Sequence, residues 1–133
     1  WVQEGGPQLL ATLIQDLVHF SNKGKHQWLD MLTEDDFKEL TKVKTVGEIC
    51  CRFFDSKGKE VYENLQERTI AISLEDLKNI PQSLAVAYGD TKVSAILSVL
   101  RANLVNHLIT DKNTILKVLE EDGDFSFRDI LCE

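Results

Sequence analysis

Several absences narrow this 133-residue chain. No apolar run approaches the roughly 20 residues that a membrane-spanning helix needs, and no leader pattern stands at the start, so a cytoplasmic protein is expected. Basic charge is not in excess: 15 Lys and Arg stand against 22 Asp and Glu, a formal net charge of −7. Gripping nucleic acid takes clustered Lys and Arg against phosphates, so this chain is not expected to hold DNA or RNA by itself. Cysteine is scarce, with three residues, Cys50, Cys51 and Cys132. An odd count with an adjacent pair and no CxxC is no disulfide framework, and thiols in a reducing compartment are expected. His19, His26 and His107 lack ligand spacing, so neither a metal site nor a cofactor is expected. There is no starting Met, which reads as a piece of a longer protein, and no internal repeat, low-complexity tract or linker.

What remains is globular. Apolar residues make up 43% and charged residues 28% of the chain, enough for one domain over residues 1–133 with a core needing no crosslinks. Gly5-Gly6-Pro7 breaks the start. Leu9, Leu10, Leu13 and Ile14 recur at helical spacing, which predicts a helix over residues 8–15. Leu17-Val18-His19-Phe20 continues it or forms a short strand, and residues 21–25 turn. Thr33 caps a clear helix, with Glu34, Asp35 and Asp36 at the positive end of its dipole and Phe37 and Leu40 on its apolar side. Ile49-Cys50-Cys51-Arg52-Phe53-Phe54 predicts a strand running into a turn at Asp55-Ser56-Lys57-Gly58-Lys59. Alternation along that strand turns Arg52 away from Cys51 and Phe53, toward the surface.

From Thr69 a regular pattern sets in. Thr69-Ile70-Ala71-Ile72 predicts a short strand. Ser73 caps a helix over residues 74–79, with Asp76 placed for a capping contact, and Pro81 ends it. Residues 83–88 form the next strand. After the turn Gly89-Asp90-Thr91 comes a longer helix whose buried side carries Val93, Ile96, Leu97, Leu100 and Leu104. Residues 105–109 form a third strand, Thr110 and Asp111 cap a last helix closed by Gly123, and residues 125–133 suggest a short extra one. Strands alternating with crossover helices predict an α/β fold with a doubly wound, mostly parallel, Rossmann-like sheet. Ligands of such sheets bind beyond the carboxyl ends of the strands, where free N–H groups at helix starts favour anions. Here those ends are Ile72-Ser73, Tyr88-Gly89-Asp90-Thr91 and Ile109-Thr110-Asp111.

The order of these pieces resembles the C-terminal effector domain of SorC/DeoR-like bacterial transcription regulators. The words that carry the resemblance are Thr45-Val46-Gly47-Glu48-Ile49, Arg52-Phe53-Phe54-Asp55-Ser56-Lys57-Gly58, residues 68–77, Ile80-Pro81, Ala85-Val86-Ala87-Tyr88-Gly89 with Lys92, Ala95-Ile96-Leu97, Leu100-Arg101, and residues 105–111. It covers roughly residues 30–120. It implies a relative of the glucosamine-6-phosphate deaminase and ribose-5-phosphate isomerase fold, present here in part. It also implies a phosphorylated sugar as effector, DNA contacted only through a separate helix-turn-helix absent from this chain, and a homo-oligomer. The chain departs from the family at Tyr88-Gly89 and at Ala102-Asn103, where members carry glycine pairs.

Five residues are candidates for the ligand on this basis. Asp55 offers a carboxylate to sugar hydroxyls and equally suits an ordinary turn. Lys92 sits in a first helical turn, where a cation is unfavourable unless it meets an anion. Gly89 lets backbone approach a ligand or take positive φ. Tyr88 could stack on a sugar or fill the pocket, and Asp111 could cap its helix or reach the ligand. No catalytic residue is expected: Asp55 is the one carboxylate placed for an isomerase or deaminase-like base, and no second acid/base partner is evident. A ligand-free interaction module is the remaining alternative. The acidic run Glu120-Glu121-Asp122-Gly123-Asp124 puts Phe127 where a calcium loop needs glycine, so it reads as a solvated helix end.

Overall fold

In this computed structural model, which describes residues 9–16 and 32–126, strand β1 (Leu9–Asp16) runs through the middle of a five-stranded sheet. On one side it pairs antiparallel with β2 (Gly47–Ile49), which pairs antiparallel with β3 (Arg52–Phe54). On the other side it pairs parallel with β4 (Gln82–Val86), which pairs parallel with β5 (His107–Ile109). The helices are α1 (Glu34–Lys42), α2 (Glu63–Arg68), α3 (Leu74–Asn79), α4 (Val93–Arg101) and α5 (Lys112–Asp122), with a 3₁₀ turn over Asp90–Lys92 before α4. The expected readings for residues 5–7, 17–20, 21–25 and 127–133, and for His19, His26 and Cys132, lie outside the described residues.

The fold is mixed α/β, and its sheet is mixed too, with an antiparallel half that the reading of a mostly parallel sheet did not contain. Three local readings change. Residues 9–16 are a strand and not a helix: Leu9, Leu10, Leu13 and Ile14 satisfy helical spacing, but a near-continuous apolar run also suits a central strand. The segment 49–54 is a tight hairpin and not one strand. Cys50 and Cys51 form its two-residue turn with φ of 52° and 61°, the left-handed pair that a type I′ turn requires. Residues 69–72 join no ladder. Arg52 Nη2 and Nε donate to the carbonyls of Ala71 and Ile72 at 2.7 and 3.0 Å, which holds this extended connector beside the sheet. Arg52 is therefore not at the surface: its side chain is 11% exposed, and its Nη1 also pairs with Glu60 at 3.2 Å.

The helix starts follow their caps. Thr33 Oγ1 accepts the Asp36 N–H at 3.2 Å, and the Asp36 carboxylate accepts the Thr33 N–H at 2.8 Å, a complete capping box. Ser73 and Asp111 cap α3 and α5 through the N–H groups of Asp76 and Thr114. Adjacent residues of a strand point to opposite faces, so Phe53 and Phe54 of β3 mark two layers. Phe53 packs with Leu40 and Leu65 under α1 and α2. Phe54 joins a larger cluster with Ile49, Leu77, Ile96, Val99 and Val118 under α3, α4 and α5. Helix α4 is buried almost all round, which sets the ends of β4 and β5 and the turn between β4 and α4.

Candidate functional site

The parallel strands end together. Val86 is level with Leu13 of β1 and Ile109 of β5, and the Ala87 N–H donates to the Ile109 carbonyl at 3.1 Å. Tyr88 then leaves the sheet, 67% exposed. Gly89 follows at φ 107°. A Cβ added at Gly89 would meet nothing within 4 Å, so backbone conformation and not crowding demands glycine here. The Lys92 N–H closes the 3₁₀ turn on the Gly89 carbonyl at 3.0 Å, and no side chain caps the start of α4. Uncapped N–H groups and a lysine thus stand together at one helix start, and both attract anions.

The charge of Lys92 reaches a buried carboxylate on β2 that the sequence does not single out. Glu48 on β2 is 8% exposed and shares its face with Phe53, its cross-strand partner. Its carboxylate accepts the Cys51 N–H across the hairpin. Burial pushes the Glu48 pKa up, while the Cys51 hydrogen bond and the charge of Lys92 pull it down. The available signal was an acidic residue inside the word Val46-Gly47-Glu48-Ile49, where strand alternation turns it inward with Phe53.

At the end of β5, Asp111 caps α5. Its Oδ1 accepts the Thr114 N–H at 3.0 Å and its Oδ2 accepts the Thr114 hydroxyl at 2.5 Å. These two bonds to Thr114 hold the Asp111 carboxyl below its usual range. The hydroxyl of Thr114 in turn accepts the Gly89 N–H at 2.8 Å. Thr110 Oγ1, next in chain to Ile109, is buried with no hydrogen-bond partner.

The structure brings Tyr88, Gly89, Lys92 and Asp111 to one edge of the sheet and leaves Asp55 elsewhere. Asp55 Oδ1 accepts the N–H groups of Lys57 and Lys59 at 2.9 and 3.0 Å, an ordinary aspartate turn. Gly58 of that turn lies against Ser98 and Ala102, at the far end of α4 from Lys92. The nine residues of α4 separate the two places by about 13 Å at 1.5 Å per residue. The departure at Ala102-Asn103 is at this far end as well. Asn103 takes the left-handed position after the helix, φ 52°, which asparagine tolerates.

The acidic run at the end of α5 is occupied by helix ties. Glu121 accepts the Ser94 hydroxyl at 2.7 Å, and Asp122 pairs with Arg101 at 2.6 Å. Among the described residues no group of three or more His, Cys, Asp or Glu could hold a metal ion, and no helix is long and apolar enough to cross a membrane.

The family model described as "Putative sugar-binding domain" matches residues 19–120. Over 80 residues, 60% of this chain and 26% of the relative, the chain is 41% identical to the deoxyribonucleoside regulator of Bacillus subtilis. Over 87 residues, 65% of this chain and 28% of the relative, it is 31% identical to the sorbitol operon regulator of Klebsiella pneumoniae. The crystal structure of a transcriptional regulator from Streptococcus pneumoniae TIGR4 superposes with a TM-score of 0.79 at 91% identity, covering 87% of this chain and 43% of that one. Full-length SorC, the sorbitol operon regulator of Klebsiella pneumoniae, superposes with a TM-score of 0.70 at 26% identity, covering 83% and 34%. The chain therefore spans about a quarter of these curated relatives and less than half of these solved structures. It belongs to the sugar-binding domain family that the SorC/DeoR-like words in residues 30–120 implied.

Proposed function

We propose that this chain is part of the effector domain of a bacterial transcription regulator of sugar metabolism, and that it takes a phosphorylated sugar at the carboxyl ends of β4 and β5. The observation that carries this reading is the turn at Gly89: it delivers Lys92 to the uncapped start of α4, and the charge of Lys92 acts on the buried Glu48 carboxylate. The Lys92 ammonium and the first N–H groups of α4 suit a phosphate, a dianion that a lone exposed lysine would hold weakly. Glu48 suits sugar hydroxyls, which need acceptors. Tyr88 offers a ring face at the mouth.

With the remainder of the longer protein, the sheet would complete a doubly wound domain. DNA would be reached through a separate helix-turn-helix, and the regulator would act as a homo-oligomer in the cytoplasm. The domain binds and does not turn over its ligand. Asp55, the one base candidate read from sequence, spends an oxygen on two backbone N–H groups remote from the turn. A ligand-free interaction module is the second reading, favoured by the bulk of Tyr88 at a strand end.

A thermal-shift screen against sugar phosphates, with ribose 5-phosphate and fructose 6-phosphate among them, tests the proposal. A ligand at about 100 times its Kd adds about 2.7 kcal/mol, a shift of several degrees for a domain of this size. Lys92→Ala should abolish the shift, and Asp55→Asn should leave it. A folded sample that responds to no sugar phosphate would favour the ligand-free module.

A further inference from the structure

Two ties join the Gly89–Lys92 turn to α5. The first runs through Thr114, 1% exposed, whose hydroxyl accepts the Gly89 N–H at 2.8 Å and donates to Asp111 Oδ2 at 2.5 Å. A hydroxyl has one proton. Committing it to the carboxylate turns the oxygen lone pairs toward Gly89, so Asp111 fixes the direction in which Thr114 accepts. Gly89 has open space where a Cβ would stand and a backbone conformation that glycine alone takes without strain. Two hydrogen bonds therefore orient this residue: its carbonyl accepts the Lys92 N–H within the turn at 3.0 Å, and its N–H donates to the Thr114 hydroxyl, which is the tie to α5. The second tie is Lys117 Nζ to Asp90 Oδ2 at 2.5 Å, three residues further along α5. The far end of α5 is fastened to α4 through Ser94 with Glu121 and Arg101 with Asp122.

We propose that Thr114 is a positioning residue for the ligand turn, oriented by Asp111, and that α5 is the element through which occupancy of that turn is passed on. The inference deepens the effector reading and rests on it for the ligand. It takes Asp111 out of the set of ligand-contacting residues and gives it a supporting role. When an anion engages the Gly89–Lys92 turn, the Gly89 peptide and Asp90 are the groups that shift, and both are bonded to α5. A change at the turn then alters the first turn of α5 by direct contact, without passing through the apolar core.

Amide hydrogen exchange of the 133-residue chain, with and without inorganic phosphate, tests this. The variants are Thr114→Val, which keeps the shape and removes the hydroxyl, and Thr114→Ser, which keeps the hydroxyl. The Gly89 amide should exchange about tenfold or more faster in the Val variant, the scale of losing one buried hydrogen bond. Phosphate affinity should fall by about the same factor, and the Ser variant should restore both. Lys117→Gln, on a half-exposed side chain, spares the core and should weaken the effect of phosphate on amides of the first turn of α5. Thr114→Val with a still-protected Gly89 amide and unchanged phosphate affinity would overturn the proposal, as would an α5 that ignores phosphate in the wild type while the turn responds. If nothing responds to phosphate or to any sugar phosphate, the effector reading falls, and the Gly89 exchange series still decides the role of Thr114.

Discussion

On the hairpin side of β1, long-range polar contacts do much of the fastening. Asp36, 3% exposed, accepts from Tyr62 Oη and Arg68 Nη2, both at 2.6 Å, as well as from Thr33. Arg52 clamps Glu60 and the connector at residues 71–72. On the parallel side, α4 fills the space between sheet and α5 with Val93, Ala95, Ile96, Leu97 and Val99, and the polar groups collect at the strand ends. The first half uses buried charge to hold an irregular path in place. The second lets apolar packing set the frame, which leaves Lys92 and the uncapped start of α4 at its edge beside the Gly89 turn. A site built on rigid elements can keep its geometry while its polar groups exchange partners.

The largest expected effect tests the apolar frame. Ile96→Ala, at a residue with 0% exposure, should cost about 3 kcal/mol, within the range for truncating a buried Ile or Leu. Leu40→Ala in the smaller cluster, also at 0% exposure, should cost a comparable amount. Urea unfolding followed by both Trp fluorescence and far-UV circular dichroism separates two outcomes. Coincident transitions in both variants mean that the halves unfold as one unit. A split transition confined to Leu40→Ala would make the hairpin side a separate unit.

Next in size is the Asp36 clamp. Burial alone would push its pKa up, but the hydrogen bonds from Tyr62 and Thr33 and the charge of Arg68 outweigh that and hold it at about 2. The carboxylate is thus favoured in the folded state. Its stabilisation is complete above the unfolded value near pH 4 and is lost as pH falls toward 2. A lowering from 3.8 to about 2 corresponds to about 2 kcal/mol. Asp36→Asn should therefore cost about 2 kcal/mol at pH 7 and flatten the pH dependence of stability between pH 4 and 2. An unchanged slope would mean that other carboxylates govern acid unfolding and that the hairpin side does not lean on this clamp.

The same division explains what could be read from sequence. The parallel half is written in local chemistry: Ser73 and Asp111 each cap a helix three residues from their partner N–H groups, Gly89 marks a turn, and Val93, Ile96 and Leu97 mark a buried face. All of these were legible. The antiparallel half depends on partners far away in sequence. Residues 69–72 look like a strand and fail to be one because Arg52, about 20 residues earlier, takes two of their carbonyls. Strand β1 was misread because Leu9, Leu10, Leu13 and Ile14 fit two periodicities, and only a sheet on both sides decides between them. At the candidate site, Lys92 and Gly89 stand out in the sequence because a cation at a helix start and a glycine after a strand are both anomalous locally. Glu48 does not stand out, because its burial comes from the hairpin fold and not from its neighbours in sequence. Asp55 forms an aspartate turn away from the Gly89 turn, and a turn aspartate has the same sequence signature with or without a ligand.

The smallest effect concerns the hairpin turn and runs in the opposite direction. Cys50 and Cys51 both take left-handed backbone, which costs an L-residue with a side chain about 1 kcal/mol each. Asn-Gly is the pair suited to such a turn. The double substitution Cys50→Asn, Cys51→Gly removes little that the turn needs, because Glu48 accepts from the backbone N–H of Cys51 and not from its thiol. Against this stand the packing of Cys50 on the main core and the entropy that glycine adds to the unfolded chain. We expect a net gain of about 1 kcal/mol in urea unfolding, with the Glu48 contact intact. The Cys51 thiol is pushed up to about 11 by burial, with Glu48 and Cys50 adding to the rise, so it stays protonated at neutral pH and gives up no thiolate function on replacement. A loss of stability in the double variant would show that thiol packing outweighs backbone strain at the turn, and that the hairpin side is held by its side chains down to its tightest bend.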